Sequence, residues 1–364
     1  MTRQDSFRLE AEGIQVDLDL DLGQIASLSI RQGDRVLSPF HRVPWADSQD
    51  DALFEGTDPH LRRMSIDFFG APFTLSDVEP APYHGWPANS SWHLVEVCHF
   101  ERGVTGRFQL DRDVMGTRLV KELTLRDHHP FLYQNHIFKG GSGKLPVGYH
   151  AMVSLPGEAF LSFSPKLEAM TPETALEPDP ARGTSLLRYP SSSSDIHAFP
   201  MADGRTADLA RYPLADRHDD LVMLVEDPAN SLGWSVAARP QRRDLALVLK
   251  SPKTLPFTIL WYSNGGRFYP PWNGRHVGVL GVEEVCAFMN AGHKASAAPN
   301  GLSERGFPTA AVLGGDLSIR SVIGAVDWIV GAETVREIKA GGKGLIIRTA
   351  DGEAEVNFDG SFLA

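Results

Sequence analysis

Ile14-Gln15-Val16-Asp17-Leu18-Asp19-Leu20-Asp21-Leu22 decides the fold class. Apolar side chains at every second position alternate with Gln15, Asp17, Asp19 and Asp21, and a period of two marks a strand with one buried face. A helix would scatter the same residues around its whole circumference. Beyond Gly23, residues 25–30 read as a second strand, and Gly33-Asp34 turns the chain into Arg35-Val36-Leu37. Similar short runs follow at 94–100, 104–110, 119–125, 132–138, 149–155, 221–226, 232–237, 245–249 and 257–262, nearly all separated by Gly, Pro, Asp or Asn clusters. A last hairpin is expected from 345–348 and 353–358 around Asp351-Gly352. Residues 164–185 and the serine-rich 189–195 read as surface loops. With almost no helical periodicity, the pattern predicts an all-β, antiparallel protein with few short helices.

At 364 residues the chain exceeds the usual size of one domain, but all-β units often do. Its 42% hydrophobic and 22% charged residues support a substantial core. The net charge of −11 repels nucleic acid and anionic membrane surfaces. The nearest thing to a basic patch is Leu61-Arg62-Arg63, and the aromatic residues are not interleaved with basic ones. Neither nucleic acid nor membrane is therefore expected as a partner. Residues 1–7 lack the apolar core of a signal peptide, and the longest membrane-span candidate, 321–332, is broken by Asp327. Cys98 and Cys286 are too few for a disulfide framework, which suits a reducing compartment, and a cytoplasmic location is expected.

Several motifs fail on inspection. Residues 138–145 end like a phosphate loop but carry Phe138 and Leu145 where glycine and a hydroxyl residue are required. Thirteen histidines include no HExxH, so no metal is expected.

Three stretches hold more polar and aromatic side chains than a core requires. The first, Tyr83-His84-Gly85-Trp86-Pro87-Ala88-Asn89-Ser90-Ser91-Trp92, places a histidine, tryptophans and an amide in a Gly/Pro loop. The second is Gly148-Tyr149-His150-Ala151-Met152-Val153-Ser154-Leu155, where alternation sets Tyr149, Ala151, Val153 and Leu155 on one face and His150, Met152 and Ser154 on the other. The third runs from Leu260-Trp261-Tyr262 through Arg267, Trp272 and Arg275 to Gly281-Val282-Glu283-Glu284. Of the two glutamates, alternation lets only one face a groove.

Taken in order, the opening 12–28, His84-Gly85, Gly148-Tyr149-His150 and Gly281-Val282-Glu283 resemble the galactose mutarotase-like superfamily, which includes aldose 1-epimerases and hexose-6-phosphate mutarotases. The resemblance implies a large antiparallel β-supersandwich with an open sugar groove. The matching motifs run from Gly13 to Glu283, and residues 1–364 are expected to form one unit, with 290–364 as additional C-terminal β-structure. The resemblance implies Glu283 as general base, His150 as general acid and His84 as a residue that holds the sugar. Glu283 is preferred over Glu284, which stands where relatives often carry proline. It further implies an isomerase that interconverts the anomers of a small-molecule sugar without a cofactor, as a monomer or homodimer. In this scheme Glu283 starts ionised and His150 protonated, on opposite sides of the sugar. Trp86, Asn89, Trp92 and Trp272 are the expected aromatic and amide lining. The aspartate expected on the sugar hydroxyls is Asp219 or Asp220, with Asp220 chosen. Arg267 and Arg275 would pair with an anionic group on the sugar, or else support their loop. The Asn-Arg pair usual before the first histidine has no counterpart, Arg62 and Arg63 being the nearest basic residues. A non-catalytic carbohydrate-binding or regulatory protein on the same fold is therefore the alternative.

Overall fold

Two large antiparallel sheets lie face to face in the computed structural model, which describes residues 6–342 and 344–364. Residues 1–5, the start of the stretch read for a targeting signal, lie outside the described residues. The nine-stranded sheet runs, in spatial order, Arg211–Tyr212, Ala159–Phe163, Gly233–Arg239, Asp244–Lys250, Leu317–Asp327, Phe131–Gly140, Thr117–Arg126, Gly103–Leu110 and Trp92–Phe100. The seven-stranded sheet runs Ser191–Ser193, Lys166–Thr171, His218–Glu226, Phe257–Asn264, Val279–Cys286, Val147–Ser154 and Phe69–Gly70. A four-stranded sheet, Ser6–Ala11, Ile14–Asp19, Ile25–Gln32 and Arg35–Leu37, packs against the nine-stranded one, so the opening alternation buries Ile14, Val16 and Leu18 as expected.

Apolar side chains fill three layers. Between the large sheets lie residues such as Tyr149, Val153, Leu260 and Val282 from one and Phe108, Leu123, Val248 and Ile323 from the other. On the far face of the seven-stranded sheet, Met152, Met223, Ile259 and Trp261 meet Trp45, Met64, Phe68 and Phe73 from the segment 40–73. On the far face of the nine-stranded sheet, Tyr133, Leu247 and Val322 are covered by Ile338, Leu345 and Ile347. The central strands are thus buried on both faces, which is why Leu221-Val222-Met223-Leu224-Val225 is continuously apolar rather than alternating.

Three expectations need correction. Residues 164–185 were read as loop, but Lys166–Thr171 is a strand, and Ser191–Ser193 within the serine run pairs with it. Hydrogen bonding to a neighbour supplied what the polar composition of these edge strands does not signal. The segment 290–364 is not wholly an addition. Leu317–Asp327 sits between Asp244–Lys250 and Phe131–Gly140 in the middle of the nine-stranded sheet, Ala311–Leu313 pairs with Gly143–Leu145, and Val335–Gly341, Gly344–Thr349 and Glu353–Asn357 form a sheet of their own. Among the described residues the one α-helix, His293–Ala297, is a short connector, and no helix is long and apolar enough to cross a membrane. Both cysteines are free, Cys98 exposed and Cys286 buried.

Candidate active site

The site is built on two neighbouring strands of the seven-stranded sheet. Val147–Ser154 pairs with Val279–Cys286 in a register that sets His150 directly opposite Glu283. Directly opposed residues project from the same face, and the imidazole Nε2 lies 3.2 Å from Glu283 Oε1. The two groups are therefore side by side, not on opposite sides of a substrate. Tyr149, Ala151 and Val153 enter the layer between the sheets, while His150 and Met152 project from the far face. Gly281 helps to make room, since a Cβ there would stand 3.0 Å from Trp261 Cβ and 3.2 Å from Glu283 Oε1. Glu284 faces inward. It forms an ion pair with Lys250 and accepts hydrogen bonds from Thr258 Oγ1 (2.7 Å) and Ser235 Oγ (3.2 Å).

His150 is held from behind and from the side. Its backbone N–H reaches both the Phe68 carbonyl and Asp67 Oδ1, each at 2.9 Å. Its ring stacks on Phe68 with centroids 4.5 Å apart, and His84 and Trp261 approach edge-on at 5.5 and 5.6 Å. Nδ1 is buried with no hydrogen-bond partner among the described residues. His84 sits in a tight loop at φ 65°, followed by Gly85 at φ 70° and ψ −179°. The Thr74 N–H donates to His84 Nδ1 at 3.4 Å. Asn89 stitches this loop to the turn Pro59–Arg62. Its Nδ2 donates to the Tyr83 and Gly85 carbonyls (2.8 and 2.7 Å), and its Oδ1 accepts from the His60 backbone N–H (2.8 Å) and lies 3.1 Å from His60 Nδ1.

Burial controls the charge of the pair. It raises Glu283 to about 8, with Arg267 opposing and Asp219 reinforcing the shift. It lowers His150 to about 3, helped by His60 and Arg267. Desolvation disfavours whichever form is charged, so both shifts favour the uncharged pair, a carboxylic acid beside a neutral imidazole. This reverses the expected starting state of ionised Glu283 and protonated His150. The proton count is the same, and the two states differ by one transfer across the 3.2 Å contact.

Around the pair opens a cleft of about 530 Å³. It brings together His84, His150, Glu283, Arg267 and Trp272 of the expected residues. The Arg267 guanidinium lies 4.5 Å from the Trp272 ring centre and donates through Nη2 to Asp219 Oδ1 at 2.9 Å. The remaining expected residues do not line it. Asp220 points to the opposite face of its strand, where it accepts from the Leu186 and Leu187 amides and the Tyr189 hydroxyl, all at 3.0 Å. Asp219, the other aspartate considered, does not line the cleft either; it braces Arg267 and accepts from Trp261 Nε1 at 3.0 Å. Trp92 is buried under Lys121 and donates to the Pro87 carbonyl. Trp86 lies beneath the Arg112 guanidinium. Arg275 is exposed and donates to the Pro271 carbonyl, the loop-supporting role that was its alternative. Asn89 acts only through its neighbours. Arg62 and Arg63 pair with Asp51, Asp19 and Asp21. Among the described residues no group of three or more His, Cys, Asp or Glu is arranged to hold a metal ion.

The cleft also contains His60, Tyr83, Trp261 and Tyr269, to which the sequence reading assigned no role. Tyr83 and Trp261 lay inside the quoted motifs, and an aromatic beside His84 was an available signal. His60 had none, because its turn becomes part of the site only when Asn89, 29 positions away, draws it in.

No family model matches this sequence, and no curated protein does. Solved structures do. The Slr1438 protein of Synechocystis sp. PCC 6803 superposes with a TM-score of 0.56 at 13% identity, covering 89% of this chain and 96% of that one. A protein of Escherichia coli K12 named as a candidate aldose 1-epimerase gives 0.56 at 12%, covering 88% and 99%. A galactose mutarotase related enzyme of Lactobacillus acidophilus gives 0.51 at 12%, covering 88% and 97%. At such identities the likeness is one of fold: the chain is built on the β-sandwich of galactose mutarotase-like proteins.

Proposed function

We propose that this protein is a mutarotase of the aldose 1-epimerase type, an isomerase that interconverts the anomers of a monosaccharide or sugar derivative through Glu283 and His150. The observation that carries the reading is their 3.2 Å contact in a cleft of monosaccharide size. Opening a pyranose moves a proton from the C1 hydroxyl to a base and another from an acid to the ring oxygen, as the C1–O5 bond breaks and the C1 carbonyl forms. The two sugar oxygens share one carbon, so an acid and a base side by side on one face reach both. A pair holding a single proton gives one and receives one, and returns to its starting state when the ring recloses. For His150 to be the acid, the resting proton passes first from Glu283 to Nε2; Arg267 favours the carboxylate this leaves and disfavours the imidazolium it forms. Each proton transfer is typically worth about 10²–10⁴-fold. Trp261 and Trp272 line the cleft and offer apolar ring surface to the sugar.

Saturation-transfer NMR over a panel of sugars tests this. One or more sugars should show enzyme-accelerated anomer exchange, and Glu283→Ala and His150→Ala should each lower that rate at least about 10²-fold with the fold intact. Unchanged rates in both variants sink the assignment. The unpartnered Nδ1 of His150 favours a second reading, since catalytic imidazoles are usually oriented through that atom. Sugar binding without acceleration would select that reading, a non-catalytic carbohydrate-binding protein.

A further inference from the structure

We propose that His60 is a hydroxyl-recognising residue of the cleft, locked by Asn89 with its unprotonated Nε2 presented beside His84, so that the two imidazoles hold one neutral hydroxyl of the ligand. The inference rests on the reading of the cleft as a sugar site. It begins from the orientation of one amide. Asn89 Nδ2 donates to two carbonyl oxygens, at 2.8 and 2.7 Å, which leaves Oδ1 as the atom facing His60. A carboxamide oxygen only accepts. His60 Nδ1, 3.1 Å away, therefore carries the proton, and in a neutral ring Nε2 is then a bare lone pair. The ring is neutral because burial lowers its pKa to about 4.

His84 is set the other way. Its Nδ1 faces the Thr74 N–H and acts as acceptor, so its Nε2 carries the proton. Burial and the two neighbouring imidazoles hold this ring neutral too. The rings meet edge to face with centroids 5.2 Å apart, both border the cleft, and the hydrogen bonds described for either ring run through Nδ1. One acceptor and one donor on neighbouring rings suit an oxygen lying about 2.7–3.2 Å from each nitrogen. A hydroxyl can give its hydrogen to His60 and accept from His84. A phosphate or carboxylate oxygen has no hydrogen to give and would set a charge against a lone pair. This end of the cleft is thus selective for a neutral hydroxyl, and any anionic group of the ligand belongs on the Arg267 side.

Two measurements test the proposal. The first needs no ligand. Long-range ¹H–¹⁵N correlation of the ¹⁵N-histidine-labelled protein at pH 7, with the signal assigned by its loss in His60→Gln, should show the Nδ1–H tautomer, and an Nε2–H tautomer overturns the proposal. The second titrates neutral monosaccharides and their monodeoxy analogues. His60→Leu should weaken the sugar about three- to tenfold, the range of one neutral hydrogen bond. His60→Gln, whose amide reaches the place of Nε2, should stay within about twofold. One deoxy analogue should bind wild type and His60→Leu alike, which identifies the hydroxyl. If wild type binds or turns over sugars and His60→Leu matches it, the role of His60 is refuted and the mutarotase reading stands. If wild type neither binds nor turns over any sugar, both fall. Thermal melts of each variant separate lost recognition from lost fold.

Discussion

Glu283 and Glu284 are adjacent, chemically identical and equally buried, yet the pleat of one strand gives them unrelated surroundings. Glu283 meets His150 in the cleft; Glu284 meets Lys250 between the sheets, beside a second buried pair formed by Lys166 and Glu226. Removing one member of a buried ion pair strands the other, at a cost of about 3–5 kcal/mol. Glu284→Gln should therefore lower unfolding stability in urea by roughly 3 kcal/mol while leaving anomer exchange per folded molecule near wild type, the reverse of the pattern expected for Glu283→Ala. Alternation in the sequence established that only one glutamate could face the groove. Which one depended on the partner strand, because the pleat has two faces and a strand buried on both carries no mark of which is which. Asp219 and Asp220 pose the same problem, and there the choice of Asp220 was the wrong face.

At the scale of the element, strands were legible where one face met water and turns where glycine or proline interrupted them. The hairpin of Ile14–Asp19 with Ile25–Gln32, Gly103–Leu110 and the final hairpin belong to this group. Lys166–Thr171 and Ser191–Ser193 did not, since their strand identity comes from a ladder partner distant in sequence. The loop that carries His84 shows how local geometry serves the site. Gly85 occupies φ 70° and ψ −179°, a region open essentially to glycine, and a Cβ there would lie 2.1 Å from the Ala71 carbonyl oxygen. Gly85→Ala should cost at least about 1–3 kcal/mol of stability and displace His84. Urea unfolding and sugar titration read the two effects, and a variant that retains both wild-type values would refute this account of the loop.

For the whole molecule, the unusual burden is buried imidazole. Burial lowers His41 and His60 to about 4 and His150 to about 3, and holds His84, His136 and His276 well below their ordinary value. As pH falls below about 6.5, the unfolded chain takes up protons at these positions and the folded one does not, so stability is lost on acidification. Glu283, raised to about 8, and Asp67, raised to about 7, work in the opposite sense, losing stability as pH rises from their unfolded values. Above about 7 the buried Lys121, lowered to about 7, contributes a rise that offsets the decline from Glu283. Six imidazoles outweigh two carboxyls between pH 4.5 and 6.5. The urea midpoint should climb over that interval and then change little to pH 8. A flat or falling midpoint between 4.5 and 6.5 would show that these histidines are not buried neutral.

Period-two alternation and turn residues by themselves determined that this is an all-β protein, that strands start at Ile14 and Ile25, and that a few polar motifs exceed what a core requires. Those features are local: the pleat and the turn act within a few residues and write themselves into adjacent positions. Only the tertiary structure decided that Leu317–Asp327 completes the middle of a sheet, that His150 and Glu283 are cross-strand neighbours, and that Asn89 draws His60 into the cleft. It also pushed the Glu283 carboxyl up and the His150 imidazole down, each toward its uncharged form. That last point follows from burial, which arises when segments far apart in sequence exclude water from the same place.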